Sequence, residues 1–130
     1  ADIIDADEDA NLSGTHAGNT LCCAASLANL EFLTEKDFQK ELKQKVEYFE
    51  NRAKSLLIHD SVLKVNCKGM VAGIIFDSTE LANKVVEYCL LNGVLPVCTF
   101  RESIKLGPPL TITIDAIAEV FDVIEQSLGE

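Results

Sequence analysis

One stretch of this chain, residues 20–33, would be apolar on every side if it formed a helix. The apolar residues that cover all of its faces are Leu21, Cys22, Ala24, Ala25, Leu27, Ala28 and Leu30. A helix of this kind is stable only where other parts of a protein surround it. A chain of 130 residues buries roughly two-thirds of its unfolded surface, which is too little to enclose such a helix easily. The pattern therefore predicts that residues 21–33 pack against more protein than this chain supplies.

The loop before this helix combines two glycines with a hydroxyl and an imidazole. Gly14 and Gly18 flank Thr15 and His16, and the apolar run begins soon afterwards. The start of a helix carries unpaired N–H groups and the positive end of the helix dipole, so a loop of this composition can hold an anion. Glycine-rich loops before helices more often make only a tight turn, and from the residues alone both interpretations stay open.

The composition is that of a globular domain, with 48% hydrophobic and 25% charged residues. The net charge of −10 argues against nucleic acids and anionic membrane surfaces as partners. A stretch near the start has several acidic residues and no basic ones: Asp2, Asp5, Asp7, Glu8 and Asp9. This stretch lacks the glycine and the terminal glutamate of a calcium loop. We therefore expect a solvated segment and no metal site.

The cysteines indicate free thiols in a reducing compartment. They are Cys22, Cys23, Cys67, Cys89 and Cys98. Their number is odd, and none forms a C-x-x-C pair or lies near a histidine at the spacing of metal ligands. Because we find neither a signal peptide nor an apolar run of membrane length, we expect a cytoplasmic protein. A nucleophilic cysteine would need a base, and only His16 and His59 are available.

Helical periodicity governs the first part of the chain. We expect a helix over residues 21–33, and Thr34-x-x-Asp37 resembles a capping box that would start a second helix of about twenty residues. Its inward positions recur at helical spacing: Phe38, Leu42, Val46, Phe49, Ala53 and Leu56.

From residue 62 the period changes to that of strands. Residues 62–68 and 70–76 predict a hairpin that turns at Lys68-Gly69. A helix capped by Ser78 and ended by Asn92-Gly93 follows. We then expect strands at 94–100 and 103–106 and a last helix capped by Thr113. The order α-α-β-β-α-β-β-α predicts an α+β fold, a small and mainly antiparallel sheet with helices on one face.

Three segments of the chain resemble, in the same order, three segments of one enzyme family. Residues 14–33, GTHAGNTLCCAASLANLEFL, are similar to a Gly-Thr, variable pair, Gly-Asn-Pro sequence followed by an Ala-rich helix. Residues 65–76, VNCKGMVAGIIF, are similar to a Val-Arg-Gly-x-Gly-Leu-Met-x-Gly-Ile hairpin. Residues 104–112, IKLGPPLTI, are similar to an Arg-Leu-x-Pro-Pro-Leu segment. Together they resemble the C-terminal part of class III, pyridoxal-phosphate-dependent aminotransferases of the acetylornithine, ornithine and 4-aminobutyrate type.

The resemblance implies the C-terminal part of a fold-type I enzyme that works as a homodimer. Residues 1–33 would end the large cofactor-binding domain, and residues 34–130 would form the small domain. The enzyme would use pyridoxal 5'-phosphate to move an amino group from an amine or amino acid to a keto acid or aldehyde. Its Schiff-base lysine lies upstream of the matched segments, so we expect no catalytic residue in this chain and no activity from the chain alone.

The resemblance also points to particular residues. Gly14 and Thr15 would contact the cofactor phosphate of the other subunit. His16 occupies a variable position, where it would pack against its neighbours or line the pocket or the interface. Lys105 stands where the family has an arginine that clamps the substrate carboxylate, and lysine keeps the charge without the planar fork. Either the carboxylate is bound with looser geometry or the natural amine has none at that place. Arg101, four residues earlier, could compensate.

Two alternatives to an aminotransferase remain at this stage. One is a pyridoxal-phosphate-dependent aminomutase of the same family. The other is a non-catalytic α+β module that associates through the exposed face of the apolar helix. A continuous reading frame that leads upstream into a lysine-bearing large domain would favour an enzyme over the module.

Overall fold

Four helices and four strands, in the predicted order, form the part of the chain that the structure describes, Gly14 and residues 17–129 of a computed structural model. The helices are α1 (Thr20–Thr34), α2 (Lys36–Ser55), α3 (Thr79–Leu91) and α4 (Ile114–Gly129), with a 3-10 turn at Leu56–Ile58 after α2. The strands are β1 (Val62–Lys68), β2 (Val71–Phe76), β3 (Val97–Arg101) and β4 (Ser103–Leu106).

The contacts divide the chain into two units, Ala1–Gln39 and Lys40–Glu130. In the described part of the first unit, the rings of Phe32 and Phe38 lie 4.5 Å apart, on either side of the junction between α1 and α2. The side-chain amide of Gln39 donates a hydrogen bond to the carbonyl of Leu33 across the same junction. The predicted domain boundary between residues 33 and 34 stays a prediction.

The second unit is built on one antiparallel sheet with the strand order β1-β2-β4-β3. A tight turn at Gly69, whose φ is +62°, joins β1 to β2, and the N–H of Gly69 donates to the Glu50 carboxylate at 2.9 Å. β2 pairs with β4, and β3, the next strand along the chain, lies at the edge of the sheet beyond β4. The fold is therefore α+β with a small antiparallel sheet, as predicted.

The core lies on the single face of the sheet that the helices cover. Alternate residues of β2 and β4 are fully buried there: Ala72, Ile74, Phe76, Ile104 and Leu106. Phe49 of α2 and Phe121 of α4 meet edge to face with centroids 5.3 Å apart. Arg52 lies 5.8 Å from the centre of the Phe121 ring and binds the Asp122 carboxylate at 2.7 Å.

Local signals in the sequence position most helix ends correctly. The hydroxyl of Ser78 accepts the N–H of Leu81 at 3.3 Å, and that of Thr113 accepts the N–H of Ala116 at 3.2 Å. At the end of α3, Gly93 takes a φ of +80°. The N–H of Val94 then bonds the carbonyl of Cys89 at 2.8 Å, the backbone pattern of a left-handed helix end.

The predicted capping box at Thr34 is wrong. Thr34 is the last residue of α1, and its hydroxyl donates back to the carbonyls of Leu30 and Glu31 at 2.8 and 3.0 Å. Threonine makes this local bond readily, so its hydroxyl does not cap the next helix. The first turn of α2 instead closes on the backbone carbonyl of Glu35, which accepts the N–H of Gln39 at 2.9 Å.

The predicted strand over residues 94–100 begins later than expected, at Val97. Val94 is part of the end of α3, as its hydrogen bond to Cys89 shows. Pro96 has no N–H to donate to a ladder. Ile114, expected to point inward from the last helix, is 39% exposed, while Ile117, Phe121 and Ile124 are buried as predicted.

Helix α1 exposes most of its apolar residues within this chain. Leu21 is 78% exposed, Leu27 and Leu30 are each 59% exposed, and no residue of the helix is buried. Its apolar surface is therefore left uncovered, in line with the expectation that the chain alone cannot enclose this helix. None of the helices in the described residues combines the length and the apolar character that crossing a membrane requires.

Candidate functional site

The loop before α1 is a tight turn whose described residues are Gly14 and Ala17 to Asn19. The N–H of Ala17 donates to the carbonyl of Gly14 at 2.9 Å, and Gly18 takes a φ of +74°, which favours glycine. Gly14 is exposed, and a Cβ built on it would meet no described atom within 4 Å. Thr15 and His16 lie outside the described residues.

The N-terminus of α1 is capped by the side chain of Asn19. Its Oδ1 accepts the N–H groups of Leu21 at 3.0 Å and of Cys22 at 3.2 Å, while its carbonyl accepts the N–H of Cys23 at 2.9 Å. Asn19 is therefore the N-cap of α1. These N–H groups already have partners, so an anion at this loop would depend on the loop residues more than on the end of the helix.

Lys105 lies in the middle of the sheet, on the face turned away from the helices. Its neighbours along β4, Ile104 and Leu106, are buried, whereas Lys105 is exposed, as the alternation of a strand requires. Lys105 is paired with Val97 on β3 and with Gly73 on β2. Among the described residues its ammonium group has no ion-pair partner. Its charge is therefore free to act on a ligand.

Arg101 lies on the same face, two pairs along the ladder between β3 and β4 from Lys105. It is opposite Ser103 where β3 turns into β4, and it is exposed. The preceding residue, Phe100, has a φ of +58°, which is rare for a bulky side chain, and is 86% exposed. The hydroxyl of Thr99 donates to the carbonyl of Ser103 at 2.6 Å and closes this turn. Sequence reasoning gave no sign of the unusual backbone at Phe100.

The segment after Lys105 borders a cavity of about 390 Å³. Apolar side chains line most of it, among them Val97, Pro108, Ile117 and Phe121, and Lys105 and Glu119 are its charged residues. Gly107 and the two prolines thus form a wall beside Lys105.

Lys45 holds the loop that follows this wall, a contact that sequence reasoning missed. Its side chain is 4% exposed; the ammonium binds Glu41 at 2.6 Å and the carbonyl of Leu110 at 3.5 Å. The sequence did contain a signal for this contact. Lys45 lies three residues after Leu42, on the inward-facing side of α2, where a lysine needs a polar partner.

Two thiols of the second unit, Cys67 and Cys89, are partly or fully buried. Burial raises the pKa of the Cys89 thiol to about 11, and burial followed by the charge of Glu50 raises the pKa of Cys67. A thiol with a raised pKa is a poor nucleophile. Within the described residues, no group of three His, Cys, Asp or Glu side chains comes together to hold a metal ion.

Comparison with known proteins places the chain in a family. Residues 1–128 match the model of the class III aminotransferases. The acetylornithine aminotransferase of Methanosarcina mazei is 32% identical over 115 residues, 88% of this chain and 28% of the relative. The ornithine aminotransferase of an Exiguobacterium species is 33% identical, with the same coverage. The chain thus spans less than a third of the length of these curated relatives.

Solved structures agree with the fold. The adenosylmethionine-8-amino-7-oxononanoate aminotransferase of Methanocaldococcus jannaschii superposes with a TM-score of 0.78 at 25% identity, over 90% of this chain and 29% of that one. A transaminase variant superposes with a TM-score of 0.79 at 21% identity, a likeness of fold alone. Because the family model covers nearly every residue, the chain belongs to the class III aminotransferases.

Proposed function

We propose that this chain is the C-terminal part of an enzyme that transfers an amino group between an amine or amino acid and a keto acid or aldehyde. The observation that carries the proposal is the match of residues 1–128 to the class III aminotransferases. The free ammonium of Lys105, beside the Gly107-Pro108-Pro109 wall, supports it independently, because an unpaired cation next to a cavity suits an anionic substrate.

The cofactor of the proposed enzyme is pyridoxal 5'-phosphate, which when bound supplies an electron sink for carbanion chemistry. Gly14 and Thr15 bind its phosphate. The exposed, side-chain-free backbone at Gly14 fits this role, because a phosphate oxygen can approach it closely. The hydroxyl of Thr15 donates one hydrogen bond to the phosphate, across the interface of a homodimer, which gives α1 and its loop a partner subunit.

Lys105 orients the substrate in this proposal. It attracts the carboxylate of an amino acid donor or of the keto acid acceptor and holds it at the sheet. Its backbone is fixed on both sides by the ladders to β2 and β3, which sets the point from which its flexible side chain reaches a ligand.

The chain by itself is proposed to be inactive and the complete protein to work in the cytoplasm. The lysines of this chain that lie in described elements are surface residues or, like Lys45, structural ones. None is matched to the family's cofactor-bearing lysine, which we place in the large domain.

The test is the absorption spectrum of the complete polypeptide after incubation with pyridoxal phosphate and removal of the excess. We expect a saturable visible band at one cofactor per chain, which bleaches when L-ornithine or another amino donor is added. The 130-residue chain, treated in the same way, is the control and should show no stoichiometric band. A complete protein that retains no cofactor would refute the proposal.

A further inference from the structure

One lysine of α2 is almost completely buried. Lys45 is 4% exposed and is the only charged residue that is buried in the part of the chain that the structure describes. Its ammonium binds the carboxylate of Glu41, one turn earlier on the same helix, at 2.6 Å. An ion pair with a buried member adds little to stability, because taking a charge out of water costs about as much as the attraction returns. Stability alone therefore does not explain a lysine at this position.

The second partner of this ammonium lies in the segment that joins β4 to α4, residues 107–112. Nζ of Lys45 donates to the backbone carbonyl of Leu110 at 3.5 Å, across 65 positions of sequence. Pro108 and Pro109 have no N–H, so a backbone ladder cannot hold this segment. Among the described residues, the bond from Lys45 is the only hydrogen bond that ties residues 107–112 to another element.

The 107–112 segment forms one wall of the cavity of about 390 Å³. The N–H of Ile112 donates to the carbonyl of Pro109 at 3.0 Å and closes a turn within the segment. The two prolines fix their own φ angles, so the segment has few ways to bend internally. A change in its position would therefore move the cavity wall as a whole.

We propose that Lys45 is a positioning residue for amino transfer, which fixes the cavity wall through the carbonyl of Leu110. The inference rests on the proposed function and adds a residue to it. Glu41 orients the ammonium, and the carbonyl of Leu110 accepts one of its three N–H groups. Without this bond the wall shifts away from the bound amino donor, and the donor is bound more weakly. The chemical step depends on the cofactor and keeps its rate.

The test uses Lys45→Met in the complete polypeptide loaded with pyridoxal phosphate. Methionine keeps a long unbranched side chain in the same space and removes both polar contacts. Lys54→Met is the matched control, because Lys54 lies on the same helix, pairs with an acid one turn earlier at 3.9 Å and has a 61% exposed side chain. Amide hydrogen exchange of the peptide that contains Ile112 reports on the wall. Steady-state kinetics with L-ornithine and 2-oxoglutarate give KM and kcat.

We expect Lys45→Met to raise both the exchange rate of this peptide and the KM for L-ornithine about tenfold, the effect of one lost hydrogen bond from a charged donor. The kcat should change by less than about twofold, since only donor binding is affected. The midpoint of urea unfolding should stay the same or rise, because an apolar side chain replaces a buried charge. Lys54→Met should leave all of these values unchanged, because an exposed ion pair contributes little.

Three results would overturn this role of Lys45. The first is an Ile112 peptide that already exchanges in the unmodified protein as fast as a free loop, a result that needs no variant. The second is an exchange rate that Lys45→Met leaves unchanged. The third is a KM that does not rise in Lys45→Met or rises equally in the Lys54 control. Failure of the proposed function is a separate outcome: the exchange rate responds to Lys45→Met, but the unmodified protein transfers no amino group.

Discussion

At the scale of single residues, the proposed function depends on Lys105 in β4 and on Thr15 in the loop before α1. The register of the sheet places Lys105 opposite Gly73 and Gly73 opposite Asn66, whereas the role of Thr15 is a proposal. The resemblance of short motifs identified Thr15 and Lys105. The pairing of Gly73 with Lys105 spans some thirty residues of intervening chain and cannot be deduced from local pattern.

Replacement of Thr15 by alanine should weaken cofactor binding. The variant loses one hydrogen bond to a charged oxygen, worth about 1.5–3 kcal/mol, which corresponds to a roughly ten- to hundredfold higher dissociation constant for pyridoxal phosphate. Equilibrium dialysis of the complete polypeptide measures it. Thr20→Ala is the matched control, because Thr20 is an exposed residue in the first turn of α1. Unchanged cofactor retention in the Thr15 variant would contradict its assigned role.

Two replacements of Lys105 should distinguish the effect of its positive charge from the effect of its side-chain geometry. Lys105→Arg keeps the positive charge and adds a planar fork, so the KM for an α-amino acid donor should stay the same or fall. Lys105→Ala removes the charge, and the KM should rise roughly tenfold or more. Steady-state kinetics on the complete polypeptide decide between these outcomes. An arginine variant that binds carboxylated donors worse while its cofactor affinity is unchanged would show that the natural amine has no carboxylate there.

At the scale of helices and strands, the sequence correctly predicted the helix ends that are determined by hydrogen bonds between residues close together in the chain. Ser78, Thr113 and Gly93 end or begin their helices as expected, because each acts through hydrogen bonds to residues within five positions. Thr34 shows the limit of such signals: a threonine followed three residues later by an acid can equally bond backwards into its own helix. The order β1-β2-β4-β3 and the φ of +58° at Phe100 depend on packing that no local pattern records.

Removal of the α3 cap should cost stability. Ser78→Ala loses the bond to the N–H of Leu81, and we expect the free energy of unfolding to fall by about 1 kcal/mol. Ser127→Ala is the control, since its hydroxyl only bonds back to the carbonyl of Ile124 within α4, and it should change stability by less than about 0.5 kcal/mol. Urea unfolding followed by circular dichroism compares them. Equal losses would rule out the capping role.

The core thiol of α3 should make stability depend on alkaline pH. Burial raises the pKa of Cys89 from 9.0 to about 11, so between these values the thiol ionises in the unfolded chain but not in the folded one. Its contribution to stability is complete below about pH 9 and is lost as the pH rises to about 11. Cys89→Val lacks this titration. Urea unfolding at pH 8 and pH 10.5 should show a larger loss for the unmodified chain than for the variant, and parallel losses would contradict the assignment.

At the scale of the whole molecule, the main feature is the apolar surface of α1, which the described residues of this chain leave uncovered. Exposed contiguous apolar patches of several hundred Å² usually become interfaces. The chain matches less than a third of each curated relative. The apolarity of α1 could be deduced from the sequence, because it needs only the pattern around one helix. The identity of its covering surface could not, because that depends on residues distant in sequence.

The isolated 130-residue chain should therefore self-associate through α1. Leu27→Lys and Leu30→Lys together place two charges on a surface where both leucines are 59% exposed, so they should shift the chain toward monomer without loss of helical signal. Analytical ultracentrifugation over a range of concentrations measures this. A clean monomer of the unmodified chain at high concentration would contradict the prediction.

The central claim is that this chain is part of an enzyme that transfers amino groups, and isotope transfer tests it most directly. The complete polypeptide, loaded with pyridoxal phosphate, is incubated with L-ornithine labelled with ¹⁵N at both amino groups and with unlabelled 2-oxoglutarate. The account predicts glutamate that carries ¹⁵N, detected by mass spectrometry, and none without the protein. If a folded, cofactor-loaded protein moves no ¹⁵N from this donor or from any other labelled amino acid or amine to a keto acid, the account is wrong.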